Sequence, residues 1–539
     1  MASLARLTSA GLVALATLSS ATPTPNNAFR PSHDAARRNA YDIFNAIHSA
    51  MRQWGSSLNH NGMSSFVVTI PPGVLLHHGT RQPQGPKGPE WLAFEVEHAE
   101  LLAHPRPPHT PSLLFDQQPE QQQQQQQQPI SSQHQPESTD DDPHGYLFSY
   151  LTTSPIPLLY LDGTSAGSTD MGTLDTQDIL LRLSPNSSIW DEYPRAFDLC
   201  DIVTPWGLQG ILRMEAGFEV IKCDFAQGME MVSGKGMRRP DVDGGLESEV
   251  DVDGGRKGWM FALVRAVGQR FGGVGAGRVR VDWGSMVSAW FWEGLDLRGS
   301  GGLPRLVGIG GKELRAIRGR VEEVVRERTG GKGTGGNNVG AVDWQGVVDM
   351  VVSRYADRLR YMAEGVHDAE TMRIELNGAL NTHIDYSIQD TETRSEAAID
   401  RCSGFYTLGA MPQTLEDGLI LTAVETATRD ICSTLFEARN LFAEDPTAND
   451  NAVASAQEII QQLMNRLKWT EWKKCPACGL DEVCWAPLWP LGDKQSHERP
   501  NCRNASVIDK GWWEPDTQYW QPAMQKKDMW GTVMPGRRG

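Results

Sequence analysis

The chain has 539 residues, enough for two or three domains at ~150 residues each. Its 67 acidic against 50 basic residues leave a net charge of −17, the wrong sign for a surface that binds phosphates, so nucleic acid and anionic membranes are excluded as partners. No apolar run reaches the ~20 residues that span a bilayer, so no membrane span is expected.

One charge at Arg6, an apolar run from Ala10 to Leu18 and small residues at Ser19 and Ala21 have the order of a secretory signal, which predicts removal of residues 1–21 and a secreted, extracellular product. Eight cysteines in an exported chain predict four disulfides. Asn186-Ser187-Ser188 and Asn504-Ala505-Ser506 are glycosylation acceptors where exposed, which would make the product a glycoprotein.

Tyr41, Phe44, Ile47, Met51 and Trp54 recur at helical spacing and predict one amphipathic helix over 37–54. Two β-rich runs, 66–70 and 74–78, flank Pro71-Pro72-Gly73 and read as strand, turn, strand. A strand over 91–94 and a short helix over 96–103 follow. Residues 105–143 are rich in Pro and Gln and read as a disordered insertion. Strands are expected at 146–150, 157–161 and 217–223, with an amphipathic stretch around 179–183. Residues 226–258 are Gly-rich and acidic and read as a second disordered insertion. A last strand within 278–292 completes an α+β first domain over 33–298.

Gly-rich segments at 299–311 and 329–340 mark a boundary. Beyond it, the stripe Trp344, Val347, Val348, Val351, Tyr355, Leu359 and Met362, capped by Asp343, opens a helical second domain over 341–468 that 419–441 and 459–467 continue. Residues 469–539 form a small disulfide-rich C-terminal module with eight tryptophans, read as its core rather than as a platform for sugar rings. Local bridges Cys200–Cys223 and Cys402–Cys432 fit compact domains and leave Cys475, Cys478, Cys484 and Cys502 to pair among themselves. Zinc on those four is the competing reading; they lack the second close pair of a zinc ribbon, and no metal is expected.

Gly163-Thr164-Ser165-Ala166-Gly167 matches a nucleophile elbow after a strand, but Ser168 to Gly172 make a poor helix start and His367, His383 and His497 lack a recognisable context as base. A serine hydrolase is the second alternative. The glycine run at 272–277 precedes a strand instead of following one, and neither Gly311-Lys312 nor Gly331-Lys332 continues into Ser or Thr, so nucleotide loops are rejected. His98, His104 and His109 lack helical zinc-pair spacing and read as surface residues.

The segment Leu75-Leu76-His77-His78-Gly79-Thr80, with Trp91 to Phe94 and then Phe218-Glu219-Val220-Ile221, resembles the diphtheria-toxin-like ADP-ribosyltransferase fold. That resemblance implies NAD as cosubstrate: His78 on a ribose hydroxyl, the Gly79 backbone on the nicotinamide amide, Thr80 closing the motif, Phe94 as the aromatic residue of the second strand, and Glu219 as the catalytic carboxylate. Such a carboxylate stabilises the oxocarbenium-like state in which the glycosidic bond breaks. Phe94 stands where Tyr, Ser or Thr is usual, and Gly217, two before Glu219, disfavours arginine as acceptor. Over nearly its full length the chain also resembles large secreted proteins of filamentous fungi, through Trp91-Leu92-Ala93-Phe94-Glu95, Asp170 to Asp178, and Cys484 to Pro490 with His497 and Cys502. Two main classes follow: an NAD-dependent transferase or glycohydrolase, and a non-catalytic extracellular protein of the cell wall or of an interaction with a foreign protein or carbohydrate.

Overall fold

The structure, a computed structural model, describes residues 29–103, 145–237, 261–268, 271–298, 302–330, 342–443, 450–489, 491–505 and 519–520. The signal segment 1–21, the Gln-rich insertion and the tryptophans at 512, 513 and 530 lie outside these residues.

The chain enters through helices α1 (His33–Arg38), α2 (Ala40–Ser49) and α3 (Gln53–Leu58). The single helix expected over 37–54 is broken, because Met51 takes a left-handed backbone (φ 57°) and donates its N–H to Tyr160 Oη at 3.0 Å. The apolar stripe survives the break: Phe44, Ile47, Met51 and Trp54 are all buried.

Nine strands form one sheet: β1 (Asn61–Ile70), β2 (Leu75–Thr80), β3 (Glu90–Ala93), β4 (Gly145–Thr152), β5 (Ile156–Gly163), β6 (Gly210–Met214), β7 (Phe218–Lys222), β8 (Met229–Met237) and β9 (Arg280–Ser288). Their order is β8-β4-β2-β3-β7-β6-β5-β1-β9, antiparallel except for β5 beside β6. One sequence expectation, strand-turn-strand around Pro71-Pro72-Gly73, is met and one changes here. The Pro-Pro-Gly link joins β1 to β2, which do not pair and stand five places apart in the sheet. In a flat sheet that separation is about 24 Å, whereas the five peptide steps from Ile70 to Leu75 reach about 19 Å, so the sheet curls over on itself. The first part of the segment 226–258, expected to lack structure, is the edge strand β8, ordered by its ladder with β4; residues 238–258 lie outside the described set.

Short helices decorate the sheet: α4 (Val96–Glu100) crosses beside β2, and α5 (Glu192–Val203) packs near β6. Next come α6 (Gly311–Thr329), α7 (Trp344–Arg360, capped by Asp343 as expected), α8 (Ala369–Leu380), α9 (Thr391–Gly404), α10 (Leu415–Ala443) and α11 (Asp450–Leu467). The architecture is α+β, as expected. The boundary read at 299–340 is not a break in the core: one continuous apolar cluster runs from β1 and β5 through α2 and α6 into α7, α10 and α11.

The C-terminal module holds a two-stranded ladder of β10 (Val483–Trp485) and β11 (Asn501–Arg503) with the short helix α12 (Lys494–Glu498) between them. Trp469, Trp485, Trp489 and Trp520 are buried, but Trp469 lies in the main core and Trp485 packs on Ala216, Phe261 and Val264 rather than in a core of the module's own. The eight cysteines pair as Cys200–Cys223, Cys402–Cys432, Cys475–Cys484 and Cys478–Cys502. The last two bridges engage the sulfurs that zinc would need.

Candidate functional site

Cross-strand partners share a sheet face, and neighbours along a strand alternate. His77 pairs with Ala93, and Ala93 pairs with Glu219, so these three side chains share one face. His78 therefore points to the opposite face, and its ring contacts agree: it stacks on Phe148 at 6.4 Å and meets Phe225 edge-on at 5.7 Å. Its Nδ1 lies 2.8 Å from the Trp91 carbonyl, and burial pushes its pKa down to about 4. The arrangement that the transferase resemblance requires, with His78 and Glu219 in one cleft, is thus not assembled.

The other residues of that set are also occupied. A Cβ on Gly79 would overlap the carbonyl oxygen of Ala99, so α4 and its following turn cover the backbone that would hold a nicotinamide amide. The Thr80 hydroxyl accepts from Gln82 N at 3.2 Å. Phe94 is buried under the Arg278 guanidinium, 5.5 Å from the ring centre, and its carbonyl accepts from Arg278 Nη1 at 3.0 Å.

Ser165 has no better position. It is buried, its hydroxyl donates to the Leu161 carbonyl at 2.8 Å, and the chain beyond it turns before any helical residue. His497 directs Nε2 to the Leu58 carbonyl, and His383 packs against Phe405.

Glu219 belongs to a different constellation, a charged network sealed in the first half of the fold. It pairs with Arg213 across the β6–β7 hairpin, Nε to Oε1 at 2.8 Å. Arg213 Nη2 donates to Glu192 of α5 at 2.6 Å and Nη1 to Gln177 at 2.9 Å. Glu192 also accepts from Arg195, which forks onto Asp178 with two bonds of 2.9 Å. Arg182 closes the row on Asp178 at 2.8 Å. At the other end His98 Nε2 lies 3.0 Å from Glu215 Oε2, which corrects the surface reading of His98.

The electrostatics follow from burial. Desolvation alone would lower His98, but the hydrogen-bonded Glu215 carboxylate overrides it and the pKa is raised. Desolvation would likewise raise Glu192, yet Arg213 and Arg195 hold it below the ordinary carboxylate range. Glu219 is pushed up, first by burial, against the pull of Arg213 and with a further push from Glu215. Asp178, Glu192, Glu215 and Glu219 thus face Arg182, Arg195 and Arg213, with His98 against Glu215 at the end of the row. Buried charges persist when paired and hydrogen-bonded in this way.

His98, Glu215 and Glu219 also bring donor atoms within 4.8 Å of one another, a separation that a cation could bridge. The hydrogen bond between His98 and Glu215 and the Arg213 guanidinium on Glu219 already serve these atoms, and a guanidinium at that place repels a metal ion. The group is an ion-pair lock joining α4, the β6–β7 hairpin, α5 and the short helical segment Thr176–Leu181. Sequence reasoning nominated Glu219 alone for chemistry, read His98 as a surface residue, and passed over Glu192, Arg195, Arg213 and Glu215. A signal existed in Arg213, Glu215 and Glu219, which recur at even spacing in a hairpin whose other charge is Lys222 at the end of β7.

Residues 32–110 and 108–262 match the family model described as the YPL277C N-terminal domain. The chain is 25% identical to Uncharacterized protein YOR389W of Saccharomyces cerevisiae over 551 residues, covering 87% of this chain and 86% of that one. It is 31% identical to Uncharacterized protein YPL277C of the same yeast over 243 residues, 41% of this chain and 48% of that one. No solved structure matches. These likenesses set the chain beside an uncharacterised family of fungal proteins, and the matched region contains the whole ion-pair lock.

Proposed function

We propose that the protein is exported and acts by binding rather than by turnover, as a disulfide-stapled extracellular scaffold. The observation that carries this reading is the engagement of the groups nominated for chemistry: His78 on a backbone carbonyl, Ser165 on another, and Glu219 on a buried guanidinium. A general base or nucleophile needs a free donor or acceptor aimed at substrate, and each of these is directed into the protein. The four bridges support the extracellular address. Burial of Trp469, Trp485, Trp489 and Trp520 removes them as sugar-stacking platforms and favours a protein partner.

The test uses the full chain recovered from culture medium. Its N-terminus should begin near Thr22, it should carry no free thiol, and peptide mapping should find glycan on exposed Asn186. Incubated with NAD, it should neither bind by calorimetry nor release nicotinamide. Nicotinamide release that falls ~10²-fold in Glu219→Gln would overturn the non-catalytic reading. Recovery from cytosol with eight reduced cysteines would overturn the address.

A further inference from the structure

β8 is a terminal strand whose inner edge pairs with β4. Residues 230–236 are exposed, and among the described residues no strand covers its outer edge. The opposite edge strand, β9, is packed by α6 and α10. An uncovered row of backbone donors and acceptors is a template for another strand.

We propose that the outer edge of β8 is a self-complementary pairing surface through which two copies of this chain join their sheets about a twofold axis. The charge pattern selects a second copy as the occupant. In an antiparallel pairing that sets Val232 opposite Ser233, Glu230 of each copy faces Lys235 of the other, and Met231 faces Gly234. Two ion pairs then form at once, because a twofold interface repeats every contact. Both charges lie on the same sheet face, since Glu230 pairs with Leu151 and Lys235 with Leu147, two odd-numbered residues of β4. The irregularity of β8, where the ladder steps from Met231 to Ser233, falls on the axis and leaves the flanking pairs in register. Met231, a large exposed apolar residue, faces Gly234, which presents no side chain of its own and is overlaid by the Phe148 ring of β4.

A nine-residue edge buries much less than the ~1,000 Å² of a permanent dimer, so the association is weak and concentration-dependent, micromolar or above. Sedimentation velocity on the full chain, from about 1 to 200 µM, should show reversible dimerisation across that range. Glu230→Lys and Lys235→Glu each turn two attractive pairs into two repulsive ones and should weaken the dimer about tenfold or more. The double variant carrying both reversals restores the pairing and should dimerise like the wild type. These side chains are exposed, and unchanged circular dichroism would confirm that the variants fold. A wild type that stays monomeric throughout overturns the proposal. So does a dimer that the single reversals leave intact, or one that the double reversal fails to restore.

Discussion

His60 shows what burial does to a residue whose chemistry goes unused. Its ring is enclosed by His497, Tyr519 and Trp520 at centroid distances of 5.4, 5.7 and 5.0 Å, and neither nitrogen has a well-formed hydrogen bond. Burial, helped by the nearby His497, pushes its pKa down to about 3. The unfolded chain takes the proton near pH 6.5 and the folded one refuses it, so this contribution is complete above pH 6.5 and is lost as pH falls towards 3. At pH 5 the loss is about 2 kcal/mol. Replacing His60 by Phe keeps the ring contacts and removes both unpaired nitrogens. Unfolding free energies from urea titrations should rise at pH 7.5 and rise further, by about 2 kcal/mol more, at pH 5; equal shifts at the two pH values would refute the buried-neutral reading. At this scale the sequence identified the strands that carry His78 and Glu219 but not their faces. Parity between them depends on the ladder from β2 through β3 to β7, a non-local pairing with no local signature. The residue on the Glu219 face is the neighbouring His77.

At the scale of elements, α4 decides how the site closes. Its five residues have little helical stability of their own. It is held by the His98–Glu215 contact and by the close approach of Ala99 to Gly79. Gly79→Ala would drive a methyl group into the Ala99 carbonyl and lift α4 from β2, at a cost of about 3 kcal/mol or more. A denaturation midpoint unchanged in this variant would show that α4 does not rest on β2. The elements missed in the sequence have physical reasons. Strand β6 is fully buried yet carries Arg213, which interrupts the apolar run that marks an interior strand. Strand β8 exposes Met231 and Val232 along with its glycines and polar residues, so its order comes from β4 rather than from a buried stripe of its own. The helices α7, α10 and α11 were legible because each buries one face at the 3.6-residue period.

For the whole molecule, the question is whether the helical half is a domain. Its composition and the glycine-rich segments before it suggest one, and both Cys402 and Cys432 lie within it. The packing argues otherwise. Helix α10 rests on α1, α2 and β9 as well as on its helical neighbours. Polar contacts cross the same seam: Tyr41 donates to Asp430 at 2.5 Å, Arg52 pairs with Asp349, and Gln345 donates to the carbonyls of Ile47 and Ala50 at 2.9 Å. Phe44 of α2 stacks on Trp469 at 5.7 Å. A fragment of residues 341–468 would expose the apolar faces that α2 and β9 cover, and leave Asp430 and Asp349 without these partners. It should therefore collapse to a state with helical far-ultraviolet circular dichroism, little near-ultraviolet signal and dye-binding apolar surface. The full chain should unfold with coincident transitions by tryptophan fluorescence and far-ultraviolet dichroism. A fragment that unfolds cooperatively with native near-ultraviolet dichroism, or a full chain with two separated transitions, would restore the boundary near residue 340 and make the seam an interface between independent domains.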